Sequence, residues 1–204
     1  MNDALLVIGG LSMLFSFPVA HWLSRNTEIK SEIYSGYRVL VTCIFFLVAS
    51  LVLCEALLQK IAGTSFYSLL RHGSTLPLTL FFVGVLEGIV YEYIGCLSLD
   101  FWYYPPAKKD KRIFLVIPVA WGIFMLIMQD TFAILRTVGL GSLAAFIGTA
   151  LIPFVVIEGF NLYTKSWIYQ GLFRKPLILF LGWLLLTYTF VAGYNAHFLS
   201  PFGF

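Results

Sequence analysis

Hydrophobic positions along this chain neither alternate nor recur as a narrow stripe; they run on in six long blocks separated by short polar interruptions. The blocks are roughly Leu5 to Leu23, Arg38 to Leu58, Leu78 to Ser98, Ile113 to Leu135, Val138 to Tyr163 and Leu177 to Leu199. A helix needs about 20 predominantly apolar residues, at about 1.5 Å rise each, to cross about 30 Å of hydrocarbon. Blocks this long and unalternating predict helices rather than barrel strands, because lipid offers the backbone no hydrogen-bond partner. The expected fold is an all-α integral membrane protein, one polytopic domain over residues 1–204 with about six transmembrane helices. Pro18 predicts a bend in the first helix. Thr64 to Leu76 predicts a loop or a short interfacial helix. The first block has Asp3 before it and Arg25 and Lys30 after it, which suits an uncleaved anchor better than a signal peptide.

Composition agrees with this pattern. At 60% hydrophobic and 11% charged residues, the chain has too little polar surface to cover a soluble globule. The net charge of +3 carries no nucleic-acid implication, because the basic residues sit in short loops between the blocks. With six spans, one face holds Arg25, Lys30, Arg38, Lys108, Lys109, Lys111, Arg112, Lys165, Arg174 and Lys175, and the other only Lys60, Arg71 and Arg136. That bias predicts a bacterial inner (cytoplasmic) membrane protein with both termini non-cytoplasmic. Cys43, Cys54 and Cys96 fall inside the blocks without metal or redox spacing, and read as free thiols.

Against this apolar background the acids stand out, since a carboxyl at membrane depth is costly and marks a functional interior by default. Glu87 lies mid-block, with Tyr91 one turn on as its expected hydrogen-bond partner. Glu92 follows five residues later, about 140° around the helix, so the two acids can border one wide cavity. Glu158 shares a face with Asn161, and Asp130 sits beside Gln129. Glu55, with Gln59 and Lys60 nearby, reads as an interfacial residue or an ion pair, and His21, His72 and His197 have no metal-site spacing. No metal is expected.

A weak internal repeat links two of these acids. Glu92 precedes Trp102-Tyr103-Tyr104 by ten residues, and Glu158 precedes Trp167-Ile168-Tyr169 by nine. The first unit then reaches Pro118 and Trp121, the second Pro176 and Gly182-Trp183. Repeats in membrane folds often place their site at the interface between units. Aromatic residues at helix ends also have an ordinary interfacial explanation.

Carboxyls in an apolar medium can stay protonated and act as proton donors, and aromatic faces stabilise a nearby cation. Together they suit protonation of an isoprenoid double bond, followed by addition of water or ring closure. Nucleotide loops, nucleophile elbows and redox-cofactor motifs are absent, so no cofactor is expected.

The acid-bearing helix, the Trp/Tyr exit, the basic loop and the Pro118 to Trp121 helix, followed by Trp167, Tyr169, Pro176 and Gly182-Trp183, resemble the membrane carotenoid-biosynthesis proteins. These include carotenoid hydratases and the small lycopene cyclases, and the likeness covers roughly Leu86 to Leu186. It departs from the hydratase pattern in the spacing of Gly95, Trp102 and Tyr104. The resemblance implies a lyase or isomerase acting on a hydrophobic isoprenoid within membrane lipid, alone or as an oligomer. Glu87, Glu92, Glu158 and Asp130 are then the catalytic candidates. Tyr91, Trp102, Tyr104, Trp121, Asn161, Trp167 and Trp183 are the substrate-contact candidates. Two other classes fit the same residues: a small proton- or cation-coupled transporter or channel, and a non-catalytic membrane subunit.

Overall fold

The computed structural model describes residues 2–25, 32–104 and 114–192. Much of the basic loops, with Lys30 and the run from Lys108 to Arg112, and the end of the sixth block with His197, lie outside the described residues. The rest is helical: α1 Asn2–Arg25, α2 Glu32–Ala62, α3 Phe66–Arg71, α4 Leu76–Tyr91, α5 Ile117–Thr137, α6 Ser142–Thr164 and α7 Pro176–Thr187. Both α4 and α7 run on into wider π turns, Glu92–Ser98 and Tyr188–Ala192. Two two-residue strands, β1 Trp102–Tyr103 and β2 Ile168–Tyr169, pair antiparallel, an addition to the all-helical expectation.

Four helices among the described residues are long and apolar enough to cross a membrane, over Thr42–Ala62, Leu76–Ser98, Ile117–Thr137 and Ser142–Leu162. The chain is thus a helical membrane protein in its make-up. Shorter apolar helices span Ala4–Ser16 and Pro176–Val191.

Helix ends moved where local chemistry set them. Alpha helix α1 continues through Pro18. Helix α2 stops at Gly63, whose φ of 71° is open to glycine at little cost while its N–H still reaches the Gln59 carbonyl at 3.1 Å. The fifth block was expected to start at Val138, but α5 ends there in a turn through Gly139 (φ 95°), and α6 starts only at Ser142. The segment between the second and third blocks folds as the short helix α3, with Ser65 and Ser68 forming a reciprocal capping box.

Helix α5 is the central element: 67% of its span is buried, against 39% for the next most buried. Its Met125 and Met128 join Phe46 of α2, Phe160 of α6 and Phe190 of the second π turn in one core. The Phe46 and Phe160 rings stack at 4.4 Å. Helices α4 and α5 approach closely at small residues, since a Cβ added at Gly84 would stand 3.1 Å from the Gly122 Cα. Helix α1 meets α2 in the same way, at Gly9 against the Leu53 backbone.

Candidate functional site

Glu92 opens the π turn at the end of α4 and is only 4% exposed. Its Oε1 accepts the Tyr104 hydroxyl at 2.7 Å and the Trp121 indole N–H at 2.9 Å; its Oε2 accepts the Trp102 indole N–H at 3.3 Å. Glu158, 7% exposed, is served similarly: its Oε1 accepts the Tyr169 hydroxyl at 2.6 Å and the Trp183 indole N–H at 3.1 Å, and the Asn161 side chain lies nearby. Indole can only donate, so Trp102, Trp121 and Trp183 each leave their carboxyl as acceptor. Three donors around Glu92 and two around Glu158 offset the loss of water that burial imposes.

The two cradles share an acid, a Trp-x-Tyr segment and a later tryptophan in the same order, but the Trp102 indole donates to Glu92 whereas Trp167 makes no such bond to Glu158. In each, the chain turns back toward its acid through a non-glycine residue with positive φ, two places before the first tryptophan. These residues are Asp100 (φ 51°) and Lys165 (φ 55°), the two such non-glycine residues among those described. Backbone held in that region costs about 1–2 kcal/mol and persists only where surrounding structure demands it. The repeat differs by one residue in spacing, ten against nine, and the π turn absorbs it. Its hydrogen bonds, such as the Leu99 N–H to the Ile94 carbonyl at 2.9 Å, span five residues where an α-helix spans four. One extra residue is thereby wound in without displacing Trp102.

Pairing of β1 with β2 then joins the two units. Trp102 lies opposite Tyr169 and Tyr103 opposite Ile168, and the Gln170 N–H to Phe101 carbonyl bond of 2.7 Å extends the ladder. Side chains alternate along a strand, so Trp102, Tyr104, Trp167 and Tyr169 share one face of the ribbon. Trp102, Tyr104 and Trp167 pack there in one buried cluster with Cys96 and Ile117. Behind it, Phe124 of α5 bridges the cradles, its ring 6.1 Å from Trp121 and 5.4 Å from Trp183.

Glycines make room for the donors. A Cβ at Gly95 would fall inside the Trp102 ring, and one at Gly88 would fall on the Trp121 side chain. Both phenols lie beyond the long apolar helices. Burial pushes the Tyr104 phenol well above the ordinary tyrosine range, and the adjacent Glu92 charge pushes it further. Tyr169 is raised in the same way by burial and then by Glu158.

The candidates from sequence fall into three groups. Glu92, Trp102, Tyr104 and Trp121 form the first cradle, and Glu158, Asn161 and Trp183 the second. Trp167 stands beside the second, its backbone N–H on Asn161 Oδ1 at 3.0 Å. Glu87 is half-buried on α4; the Tyr91 hydroxyl, expected to serve it, pairs with Thr189 at 2.8 Å instead, while the Tyr91 ring stacks on Trp121 at 5.7 Å. Asp130 is fully buried in α5 next to Glu55, away from both cradles. Sequence reasoning passed over Tyr169 as a site residue, although laying Trp102-x-Tyr104 over Trp167-x-Tyr169 gives it directly. It also passed over Gly88, and it took Gly95 only as part of a family pattern and not as the space that admits the Trp102 ring. Among the described residues no cluster of His, Cys, Asp and Glu could hold a metal ion.

Compared with known proteins, the chain matches no family model, no curated protein and no solved structure.

Proposed function

We propose that this chain is a membrane enzyme that performs cofactor-independent, acid-catalysed hydration or cyclisation of a long isoprenoid, such as a carotenoid. The observation that carries the reading is the joining of two carboxyls, Glu92 and Glu158, each held by indole and phenol donors, through the paired strands of one aromatic ribbon. Two carboxyls in one site can divide the work of acid and base. One adds a proton to a terminal double bond, leaving a tertiary carbocation, and the aromatic walls stabilise the positive charge. In hydration, water adds to the cation and its surplus proton returns to the second carboxylate. In cyclisation, an internal double bond attacks the cation and the second carboxylate takes the proton lost from the ring.

In this reading the chain crosses a bacterial inner membrane six times, with the Ala4–Ser16 and Pro176–Val191 helices as first and last spans. The ten-to-three bias of basic residues puts both termini outside and the two cradles near the cytoplasmic face. A long apolar substrate would then enter from the lipid.

The test is expression in a lycopene-accumulating bacterial host, with pigments separated and weighed by mass spectrometry. A product heavier by one water, or an isomer with cyclised ends, is expected, and Glu92→Gln or Glu158→Gln should abolish it. Unchanged lycopene, with the protein present in the membrane, would remove the carotenoid reading and favour a transporter or a non-catalytic subunit.

A further inference from the structure

Asp130 lies on α5 nine residues beyond Trp121, about 13 Å farther along the helix axis, and so belongs to neither cradle. It is 0% exposed, and no hydrogen-bond donor among the described residues reaches either of its carboxyl oxygens. What stands within hydrogen-bonding reach is another carboxyl, Glu55 of α2. The Glu55 oxygens are already engaged: Oε1 accepts the Phe66 N–H at 3.0 Å and Oε2 the Tyr67 N–H at 2.8 Å, the first two amides of α3. Both Glu55 oxygens are thus occupied as acceptors, which leaves Asp130 as the carboxyl that has to carry a proton if the two are to be joined.

A second anion at Asp130 would be a charge buried away from bulk solvent, without a donor among the described residues and set against a like charge. The remaining neighbours offer no relief. Cys54 of α2 contacts Thr131 and feels both acids, and the Thr131 hydroxyl donates to the Ile127 carbonyl at 2.7 Å. A proton on Asp130 removes the charge and creates the missing donor, giving a charge-assisted O–H···O bond to Glu55.

We propose that Asp130 and Glu55 form a proton-binding site, distinct from the Glu92 and Glu158 cradles, in which one shared proton ties α5 to the carboxylate that docks α3. Loss of that proton would oppose two negative charges at the point where α3 is held. Occupancy of the site and seating of α3 are therefore linked.

Infrared spectroscopy of the full chain in lipid vesicles, in heavy water at neutral pH, reads the protonated carboxyl directly. Asp130→Asn should remove one protonated-carboxyl stretching band, while Glu92→Gln leaves that band in place. A spectrum of Asp130→Asn that keeps every such band would overturn the proposal. If Asp130→Asn does not fold, Glu55→Gln decides: the Asp130 band should move to the position of a weaker hydrogen bond, and an unmoved band would count against the site.

Discussion

Trp102 stands directly across the antiparallel ribbon from Tyr169, and each donates to a different acid, Trp102 to Glu92 and Tyr169 to Glu158. A change on one strand therefore reaches the other cradle through a single cross-strand pair. Cross-strand neighbours of this kind contribute about 0.2–1 kcal/mol. Trp102→Ala and Tyr169→Ala should be non-additive in unfolding free energy, and strict additivity would deny that the two cradles form one unit.

The three donors of Glu92 are not equal. The Trp121 bond at 2.9 Å is well formed, whereas the Trp102 bond at 3.3 Å is long. Leaving a buried acceptor without its donor costs about 1–3 kcal/mol. In double-mutant cycles against Glu92→Gln, Trp121→Phe should show the larger coupling and Trp102→Phe the smaller. The reverse order would mean that the Trp102 indole holds the acid.

Gly95→Ala and Gly88→Ala place a methyl where the Trp102 and Trp121 side chains now lie, so each should lower the melting temperature and disturb the Glu92 cradle. Gly159, in α6 one residue past Glu158, has no neighbour within 4 Å of an added Cβ. Gly159→Ala should be neutral or stabilising by about 0.5–1 kcal/mol, as for glycine in an open helix position. Equal losses at all three sites would show that the tight glycines act through something other than space.

Gln129 donates to the Phe190 carbonyl at 2.6 Å, fully buried, and so satisfies a backbone group in the second π turn. Gln129→Met keeps the volume and removes the donor. It should cost about 1–3 kcal/mol in unfolding free energy and loosen hydrogen-exchange protection over Tyr188–Ala192. Unchanged protection there would mean that the carbonyl does not depend on Gln129.

Alkaline pH should act through Tyr104 and Tyr169, whose phenols are both raised by burial and by the neighbouring carboxylate. The folded chain holds these protons more tightly than the unfolded one. Their stabilising contribution is complete below the ordinary tyrosine value of about 10 and is lost as pH rises through the higher folded values. Unfolding free energies of the Tyr104→Phe, Tyr169→Phe double variant should be lower at neutral pH but fall less steeply above about pH 10. An unaltered slope would place the alkaline sensitivity elsewhere.

Much of the cradle was legible before any coordinates. The spacing of Glu92 to Trp102 and of Glu158 to Trp167 already paired the two acids, and Trp121 and Trp183 followed at matching places. What the pattern withheld was the geometry between residues distant in sequence. Tyr91 was expected on Glu87, one turn away, yet its hydroxyl pairs with Thr189, 98 residues on. Asp130 was grouped with the other acids because all are apolar-block carboxyls, but α2 and α5 pack so that it faces Glu55.

The sequence by itself determined that the chain has the make-up of a helical membrane protein and which chemical groups stand out within it, because long unalternating apolar blocks satisfy their backbone in lipid only as helices and each acid among them is costly enough to be conspicuous. Only the tertiary structure decided which donor meets which acid. That outcome rests on a two-residue ribbon, two left-handed residues, a π turn that winds in one extra residue, and glycines that let indoles approach backbone. Each is a long-range or single-residue feature, too short to leave a periodic trace along the chain.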